Sequence, residues 1–253
     1  MTNPLTLKLE QFTRLAEDER RQIDELFSGP TQTYAPRETI IADGKHVDEI
    51  HLVLSGMAAR SKELADGSRQ IMAFLIPGDL CDVEVFVLDA MDHDIVAVSQ
   101  TTCAVVSASR MEETLTKASR LTKALWWSTM TDSAVLRERI IDHGRRDARE
   151  RLAHLLYEML VRYRVVGEAA DDSFPFAVTQ QELADATGLT AVHVNRTLKQ
   201  LRDDGLVDTR DGRATVLDAR RLKRVARFNA AYLHLDRTEG HEGAVADRAG
   251  DLV

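Results

Sequence analysis

The chain has 253 residues, 44% hydrophobic and 29% charged, with a formal net charge of -8. That composition excludes a fibrous or wholly disordered protein, and no run of about 18 apolar residues offers a membrane-spanning helix. The start, MTNPLTLKLEQFTRLAEDERRQ, lacks a basic segment followed by an apolar one, so a cytoplasmic protein with no membrane partner is expected.

From about Tyr34 to Ser109, short apolar runs of near-alternating character are broken by turn signals at DGK (43–45), SG (55–56), ADGSR (65–69) and PGD (77–79). EIHLVLSGMAARSKEL and RQIMAFLIPGDL flank the Asp66-Gly67 turn as a hairpin, and IVAVSQTTCAVVSAS supplies two more strands after the less regular CDVEVFVLDAMDHD. An antiparallel roll or jelly-roll barrel is the expected closure. Its two cysteines, Cys81 and Cys103, have neither CxxC spacing nor the numbers for a disulfide scaffold, so packing is their default role. If their strands adjoin, the pair is a candidate redox sensor.

Pro and Gly then vanish until Gly144, and ASRLTKALWWSTMTDSAVLRERIIDH predicts a helix of some seven turns. Trp127, Met130, Ala134 and Ile141 form one candidate dimer seam; Leu121, Leu125, Val135 and Leu136 form another, and packing against its own barrel is the alternative use of such a helix. A hinge is expected at Gly144, followed by a helix that buries Leu152, Leu155, Leu156, Met159 and Leu160 and opens on an Arg-rich face. EAADDSFPF is expected as a loop, LVDTRDGRATV as a hairpin, and Asp218 to His234 as a last helix before a disordered end. The expected division is 1–117 roll, 118–143 long helix, 144–236 DNA-binding unit and 237–253 tail.

Charge follows this division. Residues 1–143 hold 15 Lys+Arg against 23 Asp+Glu, residues 144–237 hold 17 against 14, and residues 238–253 hold 1 against 4. A locally basic module in an acidic chain suits phosphate contact, because charges beyond a Debye length are screened. Within that module Thr179 can cap a short helix with Glu182 at the capping-box position, Gly188 allows a tight turn, and Thr190 caps a second helix that Gly205 stops. Leu183, Ala184, Leu189, Val194, Leu198 and Leu201 fall where two steeply crossed helices bury them, which is helix-turn-helix spacing.

The exposed face of the second helix, Ala191, Val192, His193, Asn195, Arg196 and Lys199, is the candidate reader of a major groove. Arg196 can donate two hydrogen bonds to guanine, Asn195 can address adenine or phosphate, and Val192 offers only apolar contact. Thr179, Gln180, Thr190 and Lys199, with Arg210 and Arg213 on the hairpin, suit the phosphate backbone. The bland alternative is a helix pair with a solvated basic face; coincidence of caps, basic face and wing weighs against it.

Residues 8–235 together resemble the bacterial regulator superfamily of the cyclic-AMP receptor protein and the fumarate and nitrate reduction regulator (Crp/Fnr). The resemblance rests on VLSGMAARSKELADGSRQIMAFLIPGDL, the long helix, RDARERLAHLL, and VTQQELADATGLTAVHVNRTLKQLRDDGLV with its wing. It implies an α+β chain with a β-roll of cyclic-nucleotide-binding type, a dimerisation helix and a winged helix-turn-helix. It further implies a homodimer on palindromic double-stranded DNA, with RNA polymerase as a partner.

Against the family pattern, aligned without gaps from Gly78-Asp79 to Cys103, Asp82-Val83 stand where cyclic-nucleotide binders carry Gly-Glu, and His93-Asp94 where they carry Arg-Ser. Leu136 and Arg137 replace hydroxyl-bearing helix residues. A carboxylate beside the phosphate position repels it, so no tight cyclic-nucleotide binding is expected. No cysteine precedes Cys81, which removes the iron-sulfur signature, and Val192 stands where relatives usually place Glu. No cofactor or metal is assigned: His46 and His51 of HVDEIHLVLSG are poorly spaced for a cupin-like metal enzyme, and there is no GxSxG, P-loop or CxxC for catalysis. An unidentified effector, a redox signal, or control by abundance alone all remain open on these residues.

Overall fold

The computed structural model describes residues 2–83, 88 and 90–235. Strands β1 (Thr31–Tyr34), β3 (Glu49–Ser55) and β7 (Thr101–Ser107) form one antiparallel sheet in the order β1-β7-β3. Strands β2 (Thr39–Ile41), β4 (Ala58–Glu63), β5 (Arg69–Leu75) and β6 (Asp94–Ala97) form a second, in the order β2-β6-β4-β5. Tyr34, Val53 and Cys103 from the first meet Ile41, Ala58, Leu75 and Ile95 from the second in a packed roll interior. Each fully buried aliphatic side chain there contributes roughly 1.5–3 kcal/mol.

The segment EIHLVLSGMAARSKEL is not one strand but two, in different sheets. Gly56 makes the break: its φ is 83°, and an added Cβ would lie 2.1 Å from the Gln100 carbonyl oxygen. A residue with a side chain fits neither that torsion nor that approach.

Helices cover the first sheet. Helices α1 (Pro4–Leu9), α2 (Glu17–Leu26), α3 (Ala108–Lys117) and the first half of α4 (Ser119–Arg145) bury Leu5, Ile23, Met111 and Leu121 against Ile50 and Leu52. The outer face of the second sheet, with Ala59, Ile71 and Phe74, shares a continuous core with the C-terminal module. That core is organised around α5 (Ala148–Val165), with α6 (Gln180–Thr187), α7 (Ala191–Asp203), α8 (Ala219–Val225) and a three-stranded sheet in the order β8-β10-β9. Here β8 is Ser173–Pro175, β9 Val207–Arg210 and β10 Arg213–Val216.

Three features differ from expectation. The expected break at Gly144, and the boundary at 143, fall inside α4, which runs to Arg145; α5 begins where the Asp147 carboxylate accepts from the Arg149 and Glu150 amides. That cap, rather than the glycine, sets the break. The stretch EAADDSFPF contributes β8, which pairs with β10. The last helix stops at Val225, and a separate 3-10 turn spans Ala230–Leu233; between them Phe228 packs on Tyr157 and His154, an anchor invisible to periodicity. The tail expected from 237 lies outside the described residues.

Candidate nucleic-acid interface

Side-chain caps define both helices of the interface. The Thr179 hydroxyl accepts from the Glu182 amide while Glu182 Oε2 accepts from the Thr179 amide at 2.7 Å, a complete capping box starting α6. Thr190 accepts from the His193 amide at 3.2 Å and starts α7. Between them Gly188 sits at φ 63°. A Cβ on it would lie 2.9 Å from His143 Nδ1, so the turn is tied to the end of α4 as well as to its own torsion. Arg151 reinforces the same tie: its guanidinium donates to the carbonyls of Thr187, His143 and Arg146.

The buried side of this pair is Leu183, Ala184, Val194, Leu198 and Leu201, as the spacing required. The other side is open. Val192 is 81% exposed, and Asn195, Arg196 and Lys199 are exposed with no hydrogen bond or ion pair among the described residues. Ala191 and His193 are half-buried at the helix start. The Asp211-Gly212 turn joins β9 to β10 as a wing, and a groove bordered by Thr179, Gln180, Arg202, Arg210 and Arg213 runs between wing, α6 and α7.

The two wing arginines differ. Arg213 donates to the Ser173 hydroxyl and carbonyl, and Arg210 pairs through Nε with Asp208 at 3.1 Å, while each guanidinium keeps further N–H donors. The Arg-rich opening of α5 is likewise committed inward, Arg149 to Asp204 and Arg151 to the turn. On α7, Asn195, Arg196 and Lys199 have no intramolecular partner among the described residues and stand at groove-reading spacing.

Two contacts escaped the sequence reading. The β4–β5 hairpin reaches the interface, Arg69 pairing with Asp185 of α6 at 2.8 Å and Gln70 donating to the Asp185 carbonyl at 2.6 Å. At the α4–α5 junction, Arg139 bonds Asp142 and Glu158, Arg146 bonds Asp142 and Glu138, and Tyr232 donates to Glu158. Burial alone would raise the Asp142 pKa, but contact with His154 and the charge of Arg139 outweigh it and hold the pKa at about 2. The density of charge in RERIIDHGRRDARER was the available signal; nothing in it distinguished a buried network from a solvated face.

Asp82, His93 and Asp94 of the effector candidates are engaged within their own chain. Asp82 is fully buried and accepts from both the amide and Nδ1 of His51, the latter at 2.7 Å. His93 Nδ1 lies 2.6 Å from Asp92, and Asp94 accepts from the Asp43 amide. Val83 packs beside the helix-covered core, Leu136 is half-buried and Arg137 exposed. A phosphate here would meet the carboxylates of Asp82 and Asp94. Cys81 and Cys103 are buried free thiols in one core, close enough that contact between them pushes Cys81 up and draws Cys103 down. Among the described residues, no three His, Cys, Asp or Glu side chains group as a metal site.

Of the four residues expected on an α4 seam, Met130 and Ile141 are exposed, whereas Trp127 and Ala134 are buried. Trp127 stacks on Phe12 with centroids 5.5 Å apart, and Ala134 is buried, both within their own chain. The exposed apolar stripe is Trp126, Met130, Ile140 and Ile141.

Comparison with known proteins agrees with this architecture. Residues 31–118 match the cyclic nucleotide-binding domain and residues 150–225 the Crp-like helix-turn-helix domain. The nitrogen fixation regulation protein FixK of Azorhizobium caulinodans is 27% identical over 198 residues, 78% of this chain and 79% of that protein. The transcriptional activator protein FnrL of Cereibacter sphaeroides is 26% identical over 70% of this chain and 71% of its own. The structure of FixK2 from Bradyrhizobium japonicum superposes with a TM-score of 0.70 at 25% identity, covering 79% of this chain and 98% of that one. The matched domains and the similarity to these regulators support a Crp/Fnr-type DNA-binding transcription regulator: a β-roll joined by a long helix to a winged helix-turn-helix.

Proposed function

We propose that the protein acts as a homodimer, placing α7 of each protomer in successive major grooves of a palindromic promoter site, without a requirement for cyclic AMP. The observation that carries this reading is the uncommitted face of α7, where Asn195, Arg196 and Lys199 keep every donor available while the neighbouring arginines are engaged. In this reading Arg196 reads guanine, Val192 makes only apolar contact, and Thr179, Gln180, Thr190, Lys199, Arg210 and Arg213 position the backbone. The exposed stripe of α4 supports the dimer, and the spent Asp82 and Asp94 carboxylates support independence from a cyclic nucleotide.

The division of labour is a sensing roll before residue 118 and a DNA-binding unit after 143, in a cytoplasmic protein that contacts RNA polymerase. No helix among the described residues is long and apolar enough to cross a membrane. A second reading, in which oxidation of Cys81 and Cys103 gates DNA binding, is favoured by their shared core.

Selection from a random duplex pool by purified, reduced, ligand-free protein tests the proposal. The expected outcome is a palindrome with half-site centres about 10 base pairs apart. Enrichment only after oxidation supports the second reading, and no enrichment in either state overturns both.

A further inference from the structure

Polar ties join the roll to the DNA-binding unit at both ends of β5. At the C-terminal end, Arg162 of α5 donates to the Phe74 carbonyl at 3.0 Å and to Asp79 at 2.6 Å. At the N-terminal end, Arg69 donates through Nε to Asp185 of α6 at 2.9 Å, with a second guanidinium nitrogen 2.8 Å from the same oxygen. Gln70 beside it donates to the Asp185 carbonyl at 2.6 Å. Between these ties α6 packs along β5, α4 packs on the same strand, and Ile71 and Phe74 enter the core shared with Leu183 and Ala184.

Each partner at the N-terminal tie is prepared for it. Gln181 donates to the other Asp185 carboxylate oxygen at 2.8 Å, which leaves Oδ2 turned to Arg69. The Asp185 carbonyl lies in the last turn of α6, and the Leu189 amide that would serve it bonds Ala184 instead. Gln70 therefore fills an acceptor that the helix cannot fill itself. The ion pair is shielded, with the side chains 31% and 11% exposed, so water and salt weaken it less than a free surface pair. Apolar burial is non-directional and permits two packed faces to slide, whereas hydrogen bonds at this end fix the angle. Arg69, Gln70, Gln181 and Asp185 lie outside the groove between wing and α6, and none belongs to the open face of α7, so docking leaves the DNA-facing side clear.

We propose that Arg69 and Gln70 are positioning residues for DNA binding. Through Asp185 they hold α6, and α7 with it, at one angle to α4, so that the two recognition helices of a dimer stand at the half-site spacing with no effector bound. Without the tie the Arg162 end becomes a pivot, the unit samples several angles, and affinity falls by the fraction of molecules still aligned. The link to DNA rests on the proposed function; the fixed angle does not.

The test compares the full-length wild type with Arg69→Asp, Asp185→Arg and the exchanged pair carrying both. The exchanged pair keeps the wild-type net charge, and Asp185→Arg adds a cation, so weaker DNA binding by that single variant cannot come from charge alone. Pulsed electron resonance between spin labels at Leu64→Cys on the hairpin and Gln200→Cys on α7 reads the angle without DNA, the native cysteines being buried. Labelled chains are diluted in unlabelled protein to isolate the distance within one protomer. The expected result is a narrow distance distribution in the wild type, a broad one in each single variant and a narrow one again in the exchanged pair. Affinity for the selected palindrome should fall at least fivefold in each single variant and return to within twofold of the wild type in the exchanged pair. Gln70→Glu, which sets a carboxylate against the Asp185 carbonyl, should broaden the distribution as well, and circular dichroism reports the fold of every variant. Unchanged distributions in folded single variants overturn the fixed angle, and broadened distributions with unchanged affinity overturn the positioning role. An exchanged pair no better than the single variants overturns the assignment to this ion pair. Failure to select any palindrome removes the DNA-binding reading and with it the link to DNA, while the distance measurement still decides the fixed angle.

Discussion

Arg196 and Lys199 sit one turn apart on the same open face of α7, both without an intramolecular partner among the described residues, yet their chemistry assigns them different tasks. A guanidinium presents a planar fork that matches guanine O6 and N7, whereas an ammonium is a point charge indifferent to sequence. Arg196→Ala should therefore cost about 1–3 kcal/mol on the selected palindrome and relax one symmetric pair of positions, while Lys199→Ala weakens cognate and scrambled duplexes alike and flattens the salt dependence. Fluorescence anisotropy on both duplexes across a salt series measures each term. Equal losses on both duplexes for both variants would sink the assignment.

Among the elements, the junction of α4 with α5 sets where the interface points. Asp142 holds Arg139 and Arg146 from the last turns of α4, and Arg139 also holds Glu158 of α5. With its pKa at about 2 against an ordinary 3.8, the folded state favours the ionised carboxylate. The contribution is fully present above about pH 4 and is lost as pH falls towards 2, where protonation leaves both arginines without that partner. By linkage it amounts to about 2 kcal/mol. Urea midpoints of the wild type should fall across that window, and Asp142→Asn should be less stable at neutral pH with a shallower acid slope. A parallel slope in the variant would remove Asp142 as the cause. The same junction carries Arg151, which connects the end of α4 to the Thr187 carbonyl in the turn preceding α7.

For the whole molecule, four of the exposed large apolar side chains among the described residues lie on one stripe of α4. Trp126 is 74% and Ile140 71% exposed, with Met130 between them at 54%. Such a stripe on an isolated protomer is costly in water, and the proposed homodimer would cover it by symmetry. Met130→Glu should shift sedimentation from dimer to monomer at micromolar protein and lower affinity for the palindrome at least tenfold, with α4 helicity retained. A variant that remains dimeric with unchanged affinity would move the interface elsewhere.

The sequence by itself determined what local chemistry controls. Caps at Thr179 and Thr190, a residue compatible with positive φ at Gly188, a two-residue wing turn and the apolar spacing of Leu183 to Leu201 are short-range signals, and each specifies its element without knowledge of the rest. The open face of α7 followed from the same periodicity, because whatever lies opposite the buried side must be exposed. The tertiary structure alone decided which of two neighbouring tryptophans turns inward. Trp126 and Trp127 are adjacent on α4, and only the second meets the N-terminal core, where Phe12, in the turn after α1, stacks on it. It also decided that Gly56 moves the chain between sheets, that Arg139 and Arg146 enter a network around Asp142 rather than solvent, and that Asp185 receives the β4–β5 hairpin. Periodicity reports that a helix has two sides; which side is covered depends on distant segments brought there by packing, which no local window contains.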